Sequence, residues 1–253
     1  MVGIYFSGTG NSRYVIERFL KKYDALAKAY SIEDQNIVNY IKDNDELVFS
    51  YSVQYSNIPK MVKDFVDRNQ DLWKGKKIFV IATMGLFSGD GAGILARRLQ
   101  KYGASITGGL HLKMPDSIAD EKALKRSLEQ NKELVKVAEE KIEKAVTAMK
   151  NGKAPQEGLG FLYHLAGLFG QRLYFYNKTK RYSDKVKIDS HKCVGCGKCV
   201  GLCPMNNLKI EQGLADAGDK CTMCYRCINN CPKQAITLLG EKVVMQGTIE
   251  KYI

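Results

Sequence analysis

Two hydrophobic periods alternate along the first 150 residues. The run "VGIYF" at 2–6 is short and unbroken, as expected of a strand buried on both faces. The segment after it, "NSRYVIERFLKKY", places Tyr14, Val15, Phe19 and Leu20 on one helical face. Further strands are predicted for "ELVFSY" at 46–51, "KKIFVIAT" at 76–83 and "ASITGGLHL" from 104, and a weaker one near "ALAKAYS" completes five. A helix is predicted from Pro59 in "PKMVKDFVD", where proline suits a first turn, and another over 91–102. A long helix opening at Asp116 would carry Leu124, Leu128, Val135, Ala138, Ile142 and Met149 on one stripe. Strands alternating with helices predict an α/β, doubly wound five-stranded parallel sheet, with ligands at the C-terminal ends of its strands.

The pattern changes after Asn151. "GLGFLYHLAGLFGQRLYFYNKTKRYSD" has too many apolar and aromatic residues for a free linker. One or two helices are expected there, clamping two domains and burying Leu162, Leu165, Leu168, Phe169, Leu173 and Phe175. The basic aromatic stretch "YFYNKTKRY" could stack nucleobases, but interdomain packing is the commoner cause. The chain is thus divided into a domain over 1–150, a connector over 151–185 and a small α+β domain over 186–253.

No run of 18 uncharged apolar residues occurs, so no membrane span is expected. The chain enters a strand pattern directly instead of a basic segment followed by an apolar one, and a cytoplasmic protein is expected. Net charge is +12, but it divides into +5, +4 and +3 over the three regions, so no concentrated nucleic-acid footprint is expected.

Chemistry enters with the cysteines. All eight lie between Cys193 and Cys231, in "CVGCGKCVGLCP" and "CTMCYRCINNCP". Each run is C-x2-C-x2-C-x3-C-P, and the second repeats the first 28 residues later, an internal duplication. Leu208 and Ile210 correspond to Ile236 and Leu238, alternating positions that suit short strands packed on a cluster. Three closely spaced thiolates can wrap one corner of a 4Fe-4S cubane, and in this two-cluster pattern the Cys before Pro serves the other cluster. One cluster is assigned Cys193, Cys196, Cys199 and Cys231, and the other Cys221, Cys224, Cys227 and Cys203. Pro204 and Pro232 fix the chain direction beyond the ligand. Four disulfides would suit a small secreted domain, not one preceded by a large cysteine-free core. A zinc ribbon uses pairs and has no place for the third Cys and the Cys-Pro. The stretch resembles the bacterial two-cluster ferredoxins. Two such clusters and a flavin phosphate would lower the charge to roughly +6.

The loop "IYFSGTGNS" joins the first strand to the first helix. It is no P-loop, since Asn11 stands where a Lys is needed, and no dinucleotide loop, since Arg13 replaces the third Gly. Gly8 and Gly10 allow a tight turn, and Ser7, Thr9, Ser12 and the N–H groups opening the helix at Asn11 can surround a phosphate monoester. FMN fits this donor set better than a nucleoside triphosphate. The loop is similar to that of the flavodoxins, Thr/Ser-x-Thr-Gly-x-Thr/Ser, with Ser7, Thr9, Gly10 and Ser12 at the matching positions. The resemblance implies ring-binding loops at 52–59 and 83–93, with Tyr55 stacking on the isoalloxazine and Thr83, Met84, Gly85 and Phe87 at its edge. Met84 stands where flavodoxins usually carry an aromatic residue, and Phe87 is the available substitute. The domain order resembles the fused flavodoxin/ferredoxin proteins of anaerobic bacteria and archaea.

Such a chain is expected to relay single electrons between two 4Fe-4S clusters and FMN, exchanging them with redox partner proteins. An alternative is an FMN-dependent reductase of a quinone or disulfide, fed by its own ferredoxin domain. Tyr55, Ser88 and Asp90 lie in the right loops, but none is a dedicated proton donor. An iron-sulfur sensor of nucleic acid is a third, weaker class. No nucleophilic triad is seen, and His111, His164 and His191 need no ligand role.

Overall fold

The computed structural model describes residues 1–175 and 182–253; most of the basic aromatic stretch, residues 176–181, lies outside the described residues. Five parallel strands form the central sheet: β1 (Val2–Phe6), β2 (Ala29–Ser31), β3 (Glu46–Ser52), β4 (Lys77–Met84) and β5 (Ser105–Lys113). Their order is β2-β1-β3-β4-β5. Helices α1 (Asn11–Tyr23), α2 (Ile37–Lys42), α3 (Lys60–Arg68), α4 (Gly91–Lys101) and α5 (Leu128–Lys150) cover both faces.

Side chains alternate across a strand, so β4 feeds two cores. Ile78, Val80 and Ala82 join α2, α3, α4 and Trp73 on one face. Phe79 and Ile81 join α1 and α5 on the other. Burial on both faces explains why the parallel strands read as continuous apolar runs. Strand-end loops after β1, β3, β4 and β5 consequently meet on one edge of the sheet.

The long helix begins later than its periodicity suggests. Ser127 caps α5, its hydroxyl accepting from Gln130 N while the Gln130 side chain accepts from Ser127 N. This capping box sets the start, and Leu128 is left exposed. Residues 114–127 form an extended segment with one short turn instead. Tertiary bonds hold it there: the Asp120 carboxylate accepts from Tyr225 OH at 2.8 Å, Leu238 N at 2.7 Å and Leu239 N at 3.0 Å. A helix through Asp120 would forfeit all three. The sequence also gave no sign of α2, which buries only Ile37 and Ile41.

The connector contains α6 (Phe161–Gly167), continued by a wider turn over Leu168–Arg172. It does not bury the expected side chains. Leu162, Phe169 and Leu173 are 78%, 67% and 56% exposed, and Leu165, Leu168 and Phe175 are half-buried. Its attachment is ionic and backbone-close. Asp90, with no exposed surface, pairs with Arg97, Arg172 and His164. Gly167 packs so tightly on Gly89 that a Cβ on Gly89 would overlap its backbone.

The C-terminal part has two short helical turns, α7 (Lys198–Leu202) and α8 (Arg226–Asn230). Strand β6 (Lys187–Ile188) pairs antiparallel with β9 (Ile236–Thr237), and β7 (Leu208–Glu211) with β8 (Leu214–Ala217). Its small core includes Leu208, Ile228, Ile236 and Leu238, and also Ala119 of the segment after β5. The chain then returns to the sheet, where Ile249 and Tyr252 are buried against α1 and α5.

Candidate functional site

Helix α1 starts at Asn11, preceded by Gly10 in the left-handed conformation at φ 92°. Its first turn holds no acidic residue. Ser12 and Thr83 share a buried hydroxyl–hydroxyl bond of 3.0 Å, tying this loop to the end of β4. Asn11 donates through Nδ2 to Pro115 O at 2.7 Å, while its buried Oδ1 has no partner among the described residues. Hydroxyls, free N–H groups and no carboxylate suit an anion.

A cavity of about 120 Å³ opens beside this loop. Of the eleven residues named above for FMN, ten line it: Ser7, Gly8, Thr9, Asn11, Ser12, Tyr55, Thr83, Met84, Gly85 and Phe87. Gly10 faces outward, against Ile249. Leu86 and Phe87 stand about half exposed. Tyr55 and Ser56 take successive left-handed conformations at φ 50° and 56°, strained for side-chain-bearing residues. The Tyr55 ring packs on Phe175, centroids 4.5 Å apart, and burial pushes its phenol up to about 12.

Ser88 and Asp90 lie outside the lining. Ser88 Oγ is 3.3 Å from His111 Nδ1, and Asp90 is committed to its ion pairs. His111 Nε2 accepts from Ala92 N at 3.0 Å, and burial holds its pKa down at about 4, so the ring is neutral.

The lining also includes residues that the sequence reading missed. Met114–Ile118, after β5, close one side, with the Asp116 carboxyl packed on Gly85. Asp116 Oδ1 accepts from Ile118 N at 2.8 Å. Burial pushes its pKa up, opposed by that bond and by nearby Lys125 and Arg126. The signal the sequence holds for this is "PDS", a proline followed by residues that favour turns, at the point where the predicted long helix opens.

In the C-terminal domain the cysteines surround two cavities. Cys193, Cys196, Cys199 and Cys231 line one; Cys203, Cys221, Cys224 and Cys227 line the other. Backbone N–H groups of Ala215, Asn207, Met223 and Ala235 donate to Cys193, Cys203, Cys221 and Cys231 sulfurs at 3.3 to 3.4 Å. Among the described residues, no three Cys, His, Asp or Glu are grouped to hold one metal ion. Each set encircles a volume, as a polynuclear cluster requires. Burial pushes the thiols of Cys199, Cys224 and Cys227 up, and that of Cys221 to about 12. Cluster loading must therefore expel protons.

The duplication extends to the backbone. Gly195 and Gly197 have φ 62° and 72°; Met223 and Tyr225, 28 residues later, have φ 53° and 59°. Glycine adopts this conformation freely, whereas Met and Tyr pay strain. Their side chains are buried toward the first domain. Met223 lines the cavity at the strand ends, and Tyr225 OH donates to Asp120.

Cys224 belongs to both systems: it lines the second cysteine cavity and the cavity at the strand ends. Its carbonyl packs directly on Gly8, where a Cβ would overlap it. Around it, Gln54 donates to Thr222 O and Met223 O, both at 2.9 Å. Arg226 donates to Ser7 O at 2.9 Å and pairs with Glu33 at 2.7 Å. By contrast Cys196, on the other set, is exposed.

The sequence pattern of the flavodoxin domain family matches residues 3–142, and that of the 4Fe-4S dicluster domain matches 185–232. Ferredoxin-2 of Desulfomicrobium norvegicum is 47% identical over 30 residues, 12% of this chain and 51% of that protein. The chain thus spans about half the length of this curated relative. Similar solved structures include two-electron reduced Megasphaera elsdenii flavodoxin (23% identity, TM-score 0.43, 58% of this chain and 100% of that one). Oxidised Flavodoxin 2 from Bacillus cereus is another (19%, 0.44, 60% and 97%). Among the described residues no helix is long and apolar enough to cross a membrane.

Proposed function

The chain belongs to the flavodoxin family, with a 4Fe-4S dicluster domain fused behind the flavodoxin domain, and from that premise we propose an electron relay with a fixed order of stations. The two domains imply electron transfer, the first with FMN and the second with two 4Fe-4S clusters. Electrons enter from a redox partner protein at the cluster of Cys193, Cys196, Cys199 and Cys231. They cross to the cluster of Cys221, Cys224, Cys227 and Cys203 and pass on to the flavin. The observation that carries this order is Cys224, which lines both its own cluster cavity and the cavity at the strand ends. The exposure of Cys196 makes the other site the outer one.

FMN supplies two-electron capacity filled one electron at a time, so the assembly can convert single electrons into pairs or the reverse. The chain's own residues do the holding. Ser7, Thr9, Ser12 and the N–H groups at Gly8 and Asn11 would bind the phosphate. Tyr55, Thr83, Met84, Gly85 and Phe87 would frame the ring, and Arg226 keeps the phosphate loop against the inner cluster. The carrier reading is preferred to a small-substrate reductase because Ser88 and Asp90 are engaged outside the cavity.

Paired replacements test the order. Cys203→Ala and Cys231→Ala should each lower the iron count by about half. Each should damage chiefly the cluster that draws its other ligands from the opposite run. With reduced ferredoxin as donor both should stop reduction of bound flavin, Cys231→Ala at entry, with the inner cluster left oxidised, and Cys203→Ala at the last transfer, with the outer cluster reduced and the flavin left oxidised. Loss of the outer cluster alone in Cys203→Ala would refute the crossed ligation.

A further inference from the structure

A flavin ring that gains electrons inside a protein cavity gains charge there, and an uncompensated buried charge is costly. A proton source in the cavity wall would relieve it. Of the described lining residues, Asp116 alone carries a carboxyl. Its Oδ1 is occupied by the Ile118 N–H. Its Oδ2 lies on the Gly85 side, where a Cβ on Gly85 would overlap it, on the loop that ends β4.

The charged neighbours do not take the carboxyl up. Lys125 donates to Ile118 O at 2.5 Å and Met245 O at 3.2 Å. Arg126 donates to Gly85 O at 3.1 Å. Both cations favour the carboxylate from a distance, while burial, the larger influence, favours the acid. Of the other titratable groups, Tyr55 from the loop after β3 feels its charge and Cys224 lines the same cavity, while Asp120 and Glu121, further along its own segment, act on Tyr55. Burial raises the Tyr55 phenol to about 12, so it keeps its proton through the neutral range.

We propose that Asp116 is the proton-exchanging group of this cavity, giving its proton to the bound flavin ring as electrons arrive and regaining it from water. The step balances as follows: two electrons from the clusters and one proton from the Asp116 carboxyl convert the oxidised ring to its singly protonated anion. The O–H bond of the carboxyl breaks, an N–H bond forms on the ring, and the carboxylate left behind takes one proton from solvent. The proposal rests on FMN occupying this cavity.

The test uses the full chain loaded with both clusters and FMN. The flavin midpoint potential is followed from pH 5 to 9 by its visible bands. Beside a newly charged ring the carboxyl holds its proton more tightly, so the wild-type potential should have a segment steeper by one proton per two electrons, about 30 mV per pH unit. Asp116→Asn should lose that segment and slow flavin reduction from pre-reduced clusters about tenfold or more, with cluster absorbance unchanged. Asp116→Glu should retain the steeper segment at a displaced pH. An Asp116→Asn protein with wild-type slope and rate overturns the proposal. If Asp116→Asn cannot retain FMN, the Glu variant decides, and an undisplaced segment there overturns it. A wild-type protein with eight irons and no flavin overturns the occupancy of the cavity and this step together. A flavin-loaded protein indifferent to Asp116 overturns the proton step alone.

Discussion

Replacing Gly8 with alanine probes the junction between the domains with one methyl group. Gly8 does not need a left-handed φ, so alanine meets no local conformational penalty. Its Cβ would, however, overlap the Cys224 carbonyl oxygen, far inside the 3.0 Å that real Cβ atoms keep. Both partners are backbone, so neither can swing aside as a flexible side chain would. One chain must shift, at about 1–3 kcal/mol. In a protein of this size each kcal/mol lowers Tm by about 2–4 °C. The same shift separates the inner cluster loop from the flavin loop. Gly8→Ala should therefore lower Tm, measured by near-UV circular dichroism, and slow flavin bleaching in stopped-flow mixing with reduced ferredoxin. Iron content should stay at the wild-type value. A variant as stable as the parent, with flavin reduced at the parental rate, would show that the phosphate loop and Cys224 do not touch.

Three other perturbations address different parts of the assembly. Asp120→Ala strands two backbone N–H groups and the Tyr225 hydroxyl and should cost about 3 kcal/mol or more, read as a lower urea midpoint and faster proteolysis between the domains. His111 has a folded-state pKa depressed from 6.5 to about 4, so its neutral form stabilises fully above pH 6.5 and that contribution is lost as pH falls toward 4. At 1.36 kcal/mol per unit the loss approaches about 3 kcal/mol, and His111→Gln should flatten this part of the stability–pH curve relative to the parent. Deleting Thr248–Ile253 removes the buried Ile249 and Tyr252 side chains, each worth about 1.5–3 kcal/mol, and should weaken FMN retention in a fluorescence-quenching titration. An unchanged titration would mean that the tail does not support the phosphate loop.

The sheet was legible because its strands are buried on both faces. Ile78 to Ala82 could hardly be read as anything but an inner parallel strand, and the loops at the strand ends followed from that order. What escaped were elements whose structure depends on the other domain. Asp116 to Arg126 carried a helical stripe, yet Asp120 is drawn out by three bonds to residues more than a hundred positions away. The connector's apolar residues suggested burial, whereas its grip comes from Asp90 and its arginines, a charge network with no hydrophobic period. Among site residues, Gly10 belongs to the tight turn but faces outward, and Asp116 was hidden inside a misplaced helix. The contact of Cys224 with Gly8 joins residues 216 positions apart, beyond anything spacing can report.

The return of residues 249–252 to the sheet imposes a timetable on biosynthesis. The flavodoxin domain leaves the ribosome first and can fold while the cysteine-rich domain is still being made. Ile249, whose N–H donates to Thr9 O at 2.9 Å and whose side chain covers Gly10, is translated only after both cysteine runs. Until then the outer side of the phosphate loop lies open. On the proposed assignment of this loop to the flavin phosphate, flavin can enter early, but the latch behind it closes only after the cysteine-rich domain has been made, and a chain terminated within that domain would be left with an unlatched loop.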